Sequence, residues 1–354
     1  MHILHVVGAR PNFMKAAPVL HALQRRAGIK QTLVHTGQHY DRNLSEVFFS
    51  QLGIPPPEVN LEVGSGTHAQ QTAAIMCRFE TTLTRHKPDM VLVYGDVNST
   101  AAAALVCAKQ LIRVGHVEAG LRSGDRSMPE EINRIVTDHL ADLLFTPSED
   151  ANLTLRHEGI DAGKVHFVGN VMIDSLVRLL PFARQCPKNG LPERFALVTL
   201  HRPSNVDDDC ILKRILEALL SFAKEIEIVF PVHPRTRQKL TESRIDAGKL
   251  RLLDPLPYIE FLALQSRAAV VITDSGGIQE ETTYLGVPCL TVRENTERPV
   301  TVTMGTNTLV GQDTGKLAAA LRRALDSPMV SRTVPLLWDG QAGERIADIL
   351  ASAD

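Results

Sequence analysis

The feature that most constrains this 354-residue chain is a repeated alternation of short, unbroken apolar runs with segments of helical length. Ile3 to Gly8 reads as a strand, Asn12 to Arg26 as an amphipathic helix, and Thr32 to Thr36 as a second strand. MVLVYGD, RVGHVEAG, LLFTPS and VHFVGN follow, each leading into residues suited to a helix. A strand that is apolar at every position, not every second one, is buried on both faces, and intervening helices make its sheet parallel. The expected class is therefore α/β.

Between Pro181 and Arg194 the pattern breaks into PFARQCPKNGLPER, rich in Pro, Gly and charge, which reads as a linker. A second alternating series follows: FALVTLH, EIEIVFPVH, LRLLDPL, AVVITDSGG, PCLTV and NTLV. The length exceeds what one core comfortably organises. Two Rossmann-like domains result, about 1–171 and 172–339, facing across a cleft, with a closing amphipathic helix at about 340–354. Periodicity does not say which domain that helix joins.

The formal net charge is −2, which gives no long-range attraction to nucleic acid or to an anionic membrane. An anionic ligand must therefore be held by local groups. The opening MHILHVVG is too short to span a bilayer and lacks the features of a signal peptide. The five cysteines form no Cys-x-x-Cys pair and read as reduced thiols of a cytoplasmic protein, with Cys107 and Cys289 in the core.

In open parallel sheets ligands sit beyond the carboxyl ends of the strands, so the strand-to-helix loops carry the functional expectation. GARPNFMK offers Gly8 for a tight turn, Arg10 as a planar fork for phosphate, and Lys15 about one turn into the helix. It contains neither Gly-x-Gly-x-x-Gly nor a Walker sequence, so nicotinamide dinucleotide and ATP lose their main support. The alternative is a structural turn with two solvated cations. DSGGIQEE follows the strand AVVIT directly; Ser275, Gly276 and Gly277 would present a hydroxyl and open N–H groups at a helix N-terminus, a diphosphate site that needs few cations. Glu280 and Glu281 lie one turn further in, where a carboxylate can accept from ribose hydroxyls. Plain N-capping by Asp274 or Ser275 is the competing reading. Arg298, in RENTERPVT, either points toward the same phosphates or makes a surface ion pair.

Carboxylates mark the first half. Asp96 ends VLVYGD, Glu118 ends VGHVEAG, and Glu130 and Glu131 open a helix behind Pro129. Several carboxylates aimed at one cleft separate in pKa and can supply both a general acid and a general base. The bland readings are a helix cap for Asp96, dipole pairing for Glu130 and Glu131, and an Arg122 ion pair for Glu118. In the second half, LHRPSN places His201 and Arg202 at one strand end, and PVHPRTR places His233 and Arg235 at the next. A histidine facing a diphosphate is expected to be cationic. No His-x-x-x-His or cysteine cluster supports zinc, and magnesium on the carboxylates is the weaker alternative.

GARPNFMKAAP, HTGQHYD, VYGD, GHVEAGLRSGD, MPEEINR, TLHRPSN, PVHP, TDSGGIQEE and TERP occur in that order over nearly the whole chain. Together they resemble the non-hydrolysing UDP-N-acetylglucosamine 2-epimerases. The resemblance implies a glycosyltransferase-B-like fold, a homodimer, a site between the domains, and a last helix returning to the N-terminal domain. It implies interconversion of UDP-N-acetylglucosamine and UDP-N-acetylmannosamine through 2-acetamidoglucal, without metal or nicotinamide. Asp96, Glu118, Glu131 and His201 match its catalytic positions; Arg10, Lys15, Ser275, Gly277, Glu281 and Arg298 match positions associated with UDP. Many bacterial members have a longer stretch between GLR and PEE and are activated by their own substrate. Here that stretch is only SGDRSM, and Gln38, His39 and Gln71 are what could still contact an activator. The rivals are a hydrolysing relative that releases N-acetylmannosamine, a glycosyltransferase on the same fold, and a non-catalytic sugar-nucleotide sensor.

Overall fold

The computed structural model describes residues 1–37, 49, 51–187, 190–243, 247–326 and 333–352. The chain divides into two compact units, Met1–Ser175 with Leu336–Asp354, and Leu176–Pro335. Among the described residues no helix is long and apolar enough to cross a membrane.

The first unit contains strands β1 (His2–Val7), β2 (Lys30–His35), β3 (Val59–Asn60), β4 (Met90–Tyr94), β5 (Arg113–Val117), β6 (Leu143–Thr146) and β7 (Val165–Phe167). Its helices are α1 (Arg10–Gln24), α2 (His68–His86), α3 (Asn98–Lys109), α4 (Pro129–Leu140), α5 (Glu149–His157) and the start of α6 (Val171–Gln185). The strands pair in parallel in the order β3-β2-β1-β4-β5-β6-β7. Strand order reverses between β1 and β4, the position at which doubly wound sheets leave a crevice beyond the strand ends. Asn12 closes that corner: Oδ1 accepts the N–H groups of Gly8 and Ala9 at 3.0 Å, and Nδ2 donates to the Tyr94 carbonyl at 2.7 Å. Gly8 is required there, because a Cβ would lie 2.8 Å from Thr36 Oγ1 and closer still to the Ser99 side chain.

The second unit repeats the scheme with β8 (Phe195–Thr199), β9 (Glu227–Pro231), β10 (Arg251–Leu253), β11 (Val270–Thr273), β12 (Cys289–Thr291) and β13 (Asn307–Leu309). Helices α7 (Pro203–Val206), α8 (Asp209–Leu220), α9 (Pro234–Glu242), α10 (Tyr258–Arg267), α11 (Gly276–Leu285), α12 (Val300–Thr303) and α13 (Thr314–Asp326) connect them. The order is β10-β9-β8-β11-β12-β13, again parallel and reversing between the first strand and the fourth. Alternate residues of β8 serve different cores: Phe195 and Leu197 pack in one cluster, Ala196 and Val198 in another. That is why the run is apolar throughout.

The linker reading of Pro181–Arg194 is corrected in its first part. Helix α6 continues to Gln185 with Pro181 inside it. Proline removes one helical N–H there, but Ala183 is fully buried and Leu179 and Leu180 nearly so, and that packing holds the turn.

Helix α14 (Ala342–Ala351) packs against α1 within the first unit. Asp174 accepts the N–H groups of Ala342 (3.1 Å) and Gly343 (2.7 Å), while Trp338 Nε1 donates to the Pro147 carbonyl at 2.9 Å. Burial pushes the Asp174 carboxyl up to about 6, against those two N–H groups. Trp338, the single tryptophan of the chain, is 2% exposed. Trp338→Ala should lower the unfolding free energy by about 3–5 kcal/mol, measured by circular dichroism in urea. A loss of under about 1 kcal/mol would mean that the segment contributes little to the unit's stability.

Candidate active site

In the first unit the carboxylates gather beyond the ends of β4 and β5. Asp96 follows Tyr94 and Gly95; its Oδ2 receives the Arg134 guanidinium from Nη2 at 2.6 Å and from Nε at 3.0 Å. The same guanidinium donates from Nη1 to Glu131 Oε2 at 2.6 Å. Glu131 also accepts the N–H groups of Ser123 at 2.9 Å and Gly124 at 2.8 Å. Burial alone would raise the Glu131 carboxyl, but those N–H groups and Arg134 outweigh it and hold it below its usual value. Helix capping does not account for Asp96, and the helix dipole is not all that holds Glu131. The N-cap of α3 is Val97, and Glu131 spends its oxygens on the loop before its own helix.

Glu118 is buried and sits at φ +75°, a left-handed conformation that costs an L-residue about 1–2 kcal/mol. Its carboxylate pairs with Lys15 Nζ, delivered from α1. The pairing of Glu118 with Arg122 is corrected: Arg122 reaches Asp138 at 2.8 Å and Glu158 at 2.7 Å instead. Gly95, at φ +63°, leaves room for the ion pair, since a Cβ there would lie 2.5 Å from Lys15 Nζ. The first unit thus brings Lys15, Asp96, Glu118 and Glu131 together, each carboxylate with its own basic partner or sharing Arg134. The side chains of Arg10 and Arg235, together with Gln38 and His39, lie outside the described residues. Gln71 is buried and bonds to Asn98 Nδ2 at 2.8 Å.

The second unit builds its site on Asp274, which follows β11 and is fully buried. Its oxygens accept the N–H groups of His201 (3.0 Å) and Arg202 (2.9 Å), the Asn205 amide (3.1 Å), and His201 Nδ1 at 2.9 Å. A carboxylate on Nδ1 fixes the ring and turns Nε2 outward. The His201 side chain is 44% exposed, and the exposed His233 ring stands 6.4 Å from it, centroid to centroid.

Ser275 is the N-cap of α11 yet makes no side-chain cap bond, so capping does not account for it. Gly276 opens the helix where a Cβ would lie 2.6 Å from Arg298 Nη1, so the missing side chain admits the guanidinium to the first turn. Arg298 is buried between Glu280, at 2.8 Å, and Glu297, rather than in a surface pair. Glu281 accepts the Tyr258 hydroxyl at 2.7 Å, and burial, with Glu280 nearby, pushes its carboxyl up to about 7. Among the described residues no group of three His, Cys, Asp or Glu side chains could hold a metal ion.

Comparison with known proteins decides the family. Residues 21–351 match the family model described as UDP-N-acetylglucosamine 2-epimerase. The chain belongs to the UDP-N-acetylglucosamine 2-epimerase family. The enzyme of that name from Methanocaldococcus jannaschii is 41% identical over 364 residues, covering 99% of each chain. Its structure in complex with UDP-GlcNAc and UDP superposes with a TM-score of 0.92 and covers 100% of both chains. The Neisseria meningitidis epimerase bound to UDP-GlcNAc gives 0.89 at 32% identity, covering 99% of this chain and 100% of that one. A UDP-2,3-diacetamido-2,3-dideoxy-D-glucuronate 2-epimerase of Pseudomonas aeruginosa is also 41% identical, over 99% of each chain. The expected two-domain, glycosyltransferase-B-like α/β class holds for this family member.

Sequence reasoning passed over Arg134 and the organising role of Asp274. Arg134 stands three residues after Glu131, an i,i+3 helical spacing that could have flagged it.

Burial would raise the Asp274 carboxyl, but His201, the Arg202 N–H and Asn205 outweigh it and hold it below its usual value. A carboxyl lowered in the folded state contributes stability that is complete above its unfolded pKa and is lost as the pH falls through its folded pKa. Asp274→Asn should therefore lose about 1–3 kcal/mol in urea at neutral pH, with the gap to wild type closing on the acid side. A gap independent of pH would show that the ionised form is not what the loop requires.

Proposed function

We propose that this chain interconverts UDP-N-acetylglucosamine and UDP-N-acetylmannosamine by eliminating UDP to 2-acetamidoglucal and adding it back. One observation carries the reading: Asp96 and Glu118 follow neighbouring strands but sit on separate cations, Arg134 and Lys15. Inverting carbon 2 requires proton removal on one face and return on the other, and hence two groups in different surroundings. A glycosyltransferase or a passive sensor needs no such pair.

The proton on carbon 2 is weakly acidic, so loss of the diphosphate must lead or accompany its removal. The proposal gives the departing charge to Ser275, the N–H groups of Gly276 and Gly277, Arg298 and Arg10, because donors fixed in advance stabilise a leaving anion most. His201, oriented by Asp274, offers Nε2 to the same diphosphate, and His233 lies beside it. Glu281 takes a ribose hydroxyl. Asp96, Glu118 and Glu131 are the acid–base groups, and Lys15 both pairs with Glu118 and favours the anionic substrate. No metal or nicotinamide enters the scheme. The enzyme is proposed to be a cytoplasmic homodimer that feeds surface polysaccharide synthesis. The Pseudomonas relative favours a second reading, the same inversion on a diacetamido uronate carried by UDP.

In deuterated water, UDP-N-acetylglucosamine should gain deuterium at carbon 2 without any acceptor, followed by proton NMR. Bound substrate whose carbon 2 keeps its proton would sink the reading, and free sugar as the main product would indicate hydrolysis. Faster exchange on the diacetamido uronate would select the second substrate. Asp96→Asn and Glu118→Gln should each abolish exchange while leaving UDP affinity, measured by calorimetry, close to wild type. Loss of UDP affinity in both would overturn their assignment as acid–base groups.

A further inference from the structure

One buried pair behind the carboxylates is not among the acid–base groups assigned above. His116 stands in β5, two residues before Glu118, and is 0% exposed, as is Asp138 on α4. His116 Nε2 lies 2.8 Å from the Gly95 carbonyl, and Nδ1 lies 2.6 Å from Asp138 Oδ1. A carbonyl can only accept, so Nε2 carries a proton. Asp138 Oδ2 already accepts the Gly120 N–H at 3.1 Å and Arg122 Nη1 at 2.8 Å. Burial would raise this carboxyl, but His116 and Arg122 outweigh it and hold it below its usual value. With Nε2 on the Gly95 carbonyl and Nδ1 on Asp138 Oδ1, both ring nitrogens are committed.

Each bond pins backbone next to an acid–base residue. Gly95, whose carbonyl His116 holds, immediately precedes Asp96. Gly120, whose N–H Asp138 holds, lies two residues after the left-handed Glu118. Between them, the N–H groups of Glu118 (3.0 Å) and Ala119 (3.1 Å) both donate to the Phe145 carbonyl. A strained turn persists only where its surroundings over-determine it, and here the anchors on either side of Glu118 converge on one carboxylate. Arg122 extends the bracing to Glu158 at the end of α5, with bonds of 2.9 and 2.7 Å.

We propose that Asp138 is a positioning residue which, through His116 and Gly120, holds the backbone that aims Asp96 and Glu118 at the reacting carbon. The inference rests on the epimerase reading given above. Asp138→Asn keeps the size and one acceptor but removes the charge. It should lower kcat for deuterium entry at carbon 2 about 100-fold, the cost expected of a small misplacement, with KM and UDP affinity near wild type. His116→Gln, which keeps a donor toward Gly95 and loses the Asp138 bond, should separate kcat from KM in the same way. In free wild-type enzyme labelled with 15N-histidine, the His116 Nε2 proton should exchange slowly with solvent, assigned by its loss in His116→Gln. A folded Asp138→Asn or His116→Gln enzyme with wild-type kcat, or a His116 Nε2 proton that exchanges freely with solvent, would overturn the proposal. A wild-type enzyme that exchanges no deuterium would instead sink the epimerase reading, and the NMR result would still decide whether the pair is locked.

Discussion

A parallel sheet covered on both faces has only one place to offer polar chemistry, the space beyond its carboxyl strand ends. Both units obey that constraint. Val6 pairs with Val93 and Thr199 with Thr273, so in each unit the two strands at the reversal end level with one another. Lys15 meets Gly95 in the first unit, and His201 meets Asp274 in the second, because their strands finish together. The apolar runs that bury the sheet therefore also determine which loops can share a ligand.

The two units solve the problem of charge differently. The first concentrates carboxylates, which would repel if left alone, and holds them with two cations, one shared by two of them and one given to the third. Arg134 does most for Asp96 and Glu131, whereas Lys15 is committed to Glu118. A planar fork suits two carboxylates at once and a point charge suits one, so exchanging the two cations would not be conservative. The second unit relies on backbone N–H groups and the buried Arg298. Under the function proposed above, a chain with a net charge of −2 would hold a diphosphate that way without a broad basic surface.

Much of this was legible in the residues. Strand identity followed from unbroken runs such as MVLVY and FALVT, and the site loops followed from the strand ends. What escaped was set by contacts distant in sequence. Arg134 belongs to Asp96, 38 residues away, and Asp174 caps a helix 168 residues further on. Pro181 read as a linker because local propensity argues against a helical proline, and only the buried face of α6 overrides it. Arg122 looked like the partner of Glu118 through nearness along the chain. The left-handed turn at Glu118 carries its carboxylate to Lys15, and periodicity contains no sign of a positive φ at a glutamate.

That turn explains why a non-glycine residue occupies a costly conformation. Glycine would adopt φ +75° without penalty, but it has no carboxylate, and an extended glutamate would project from a face of the sheet. The fold accepts the strain at Glu118 and surrounds it with glycines, Gly95 and Gly120, both at positive φ and both close against neighbouring groups. Flexible residues beside a rigid functional one would ordinarily loosen it. Here their backbone groups bond to His116 and Asp138, while the missing side chains make room for Lys15 at Gly95 and for the Ala151 carbonyl at Gly120.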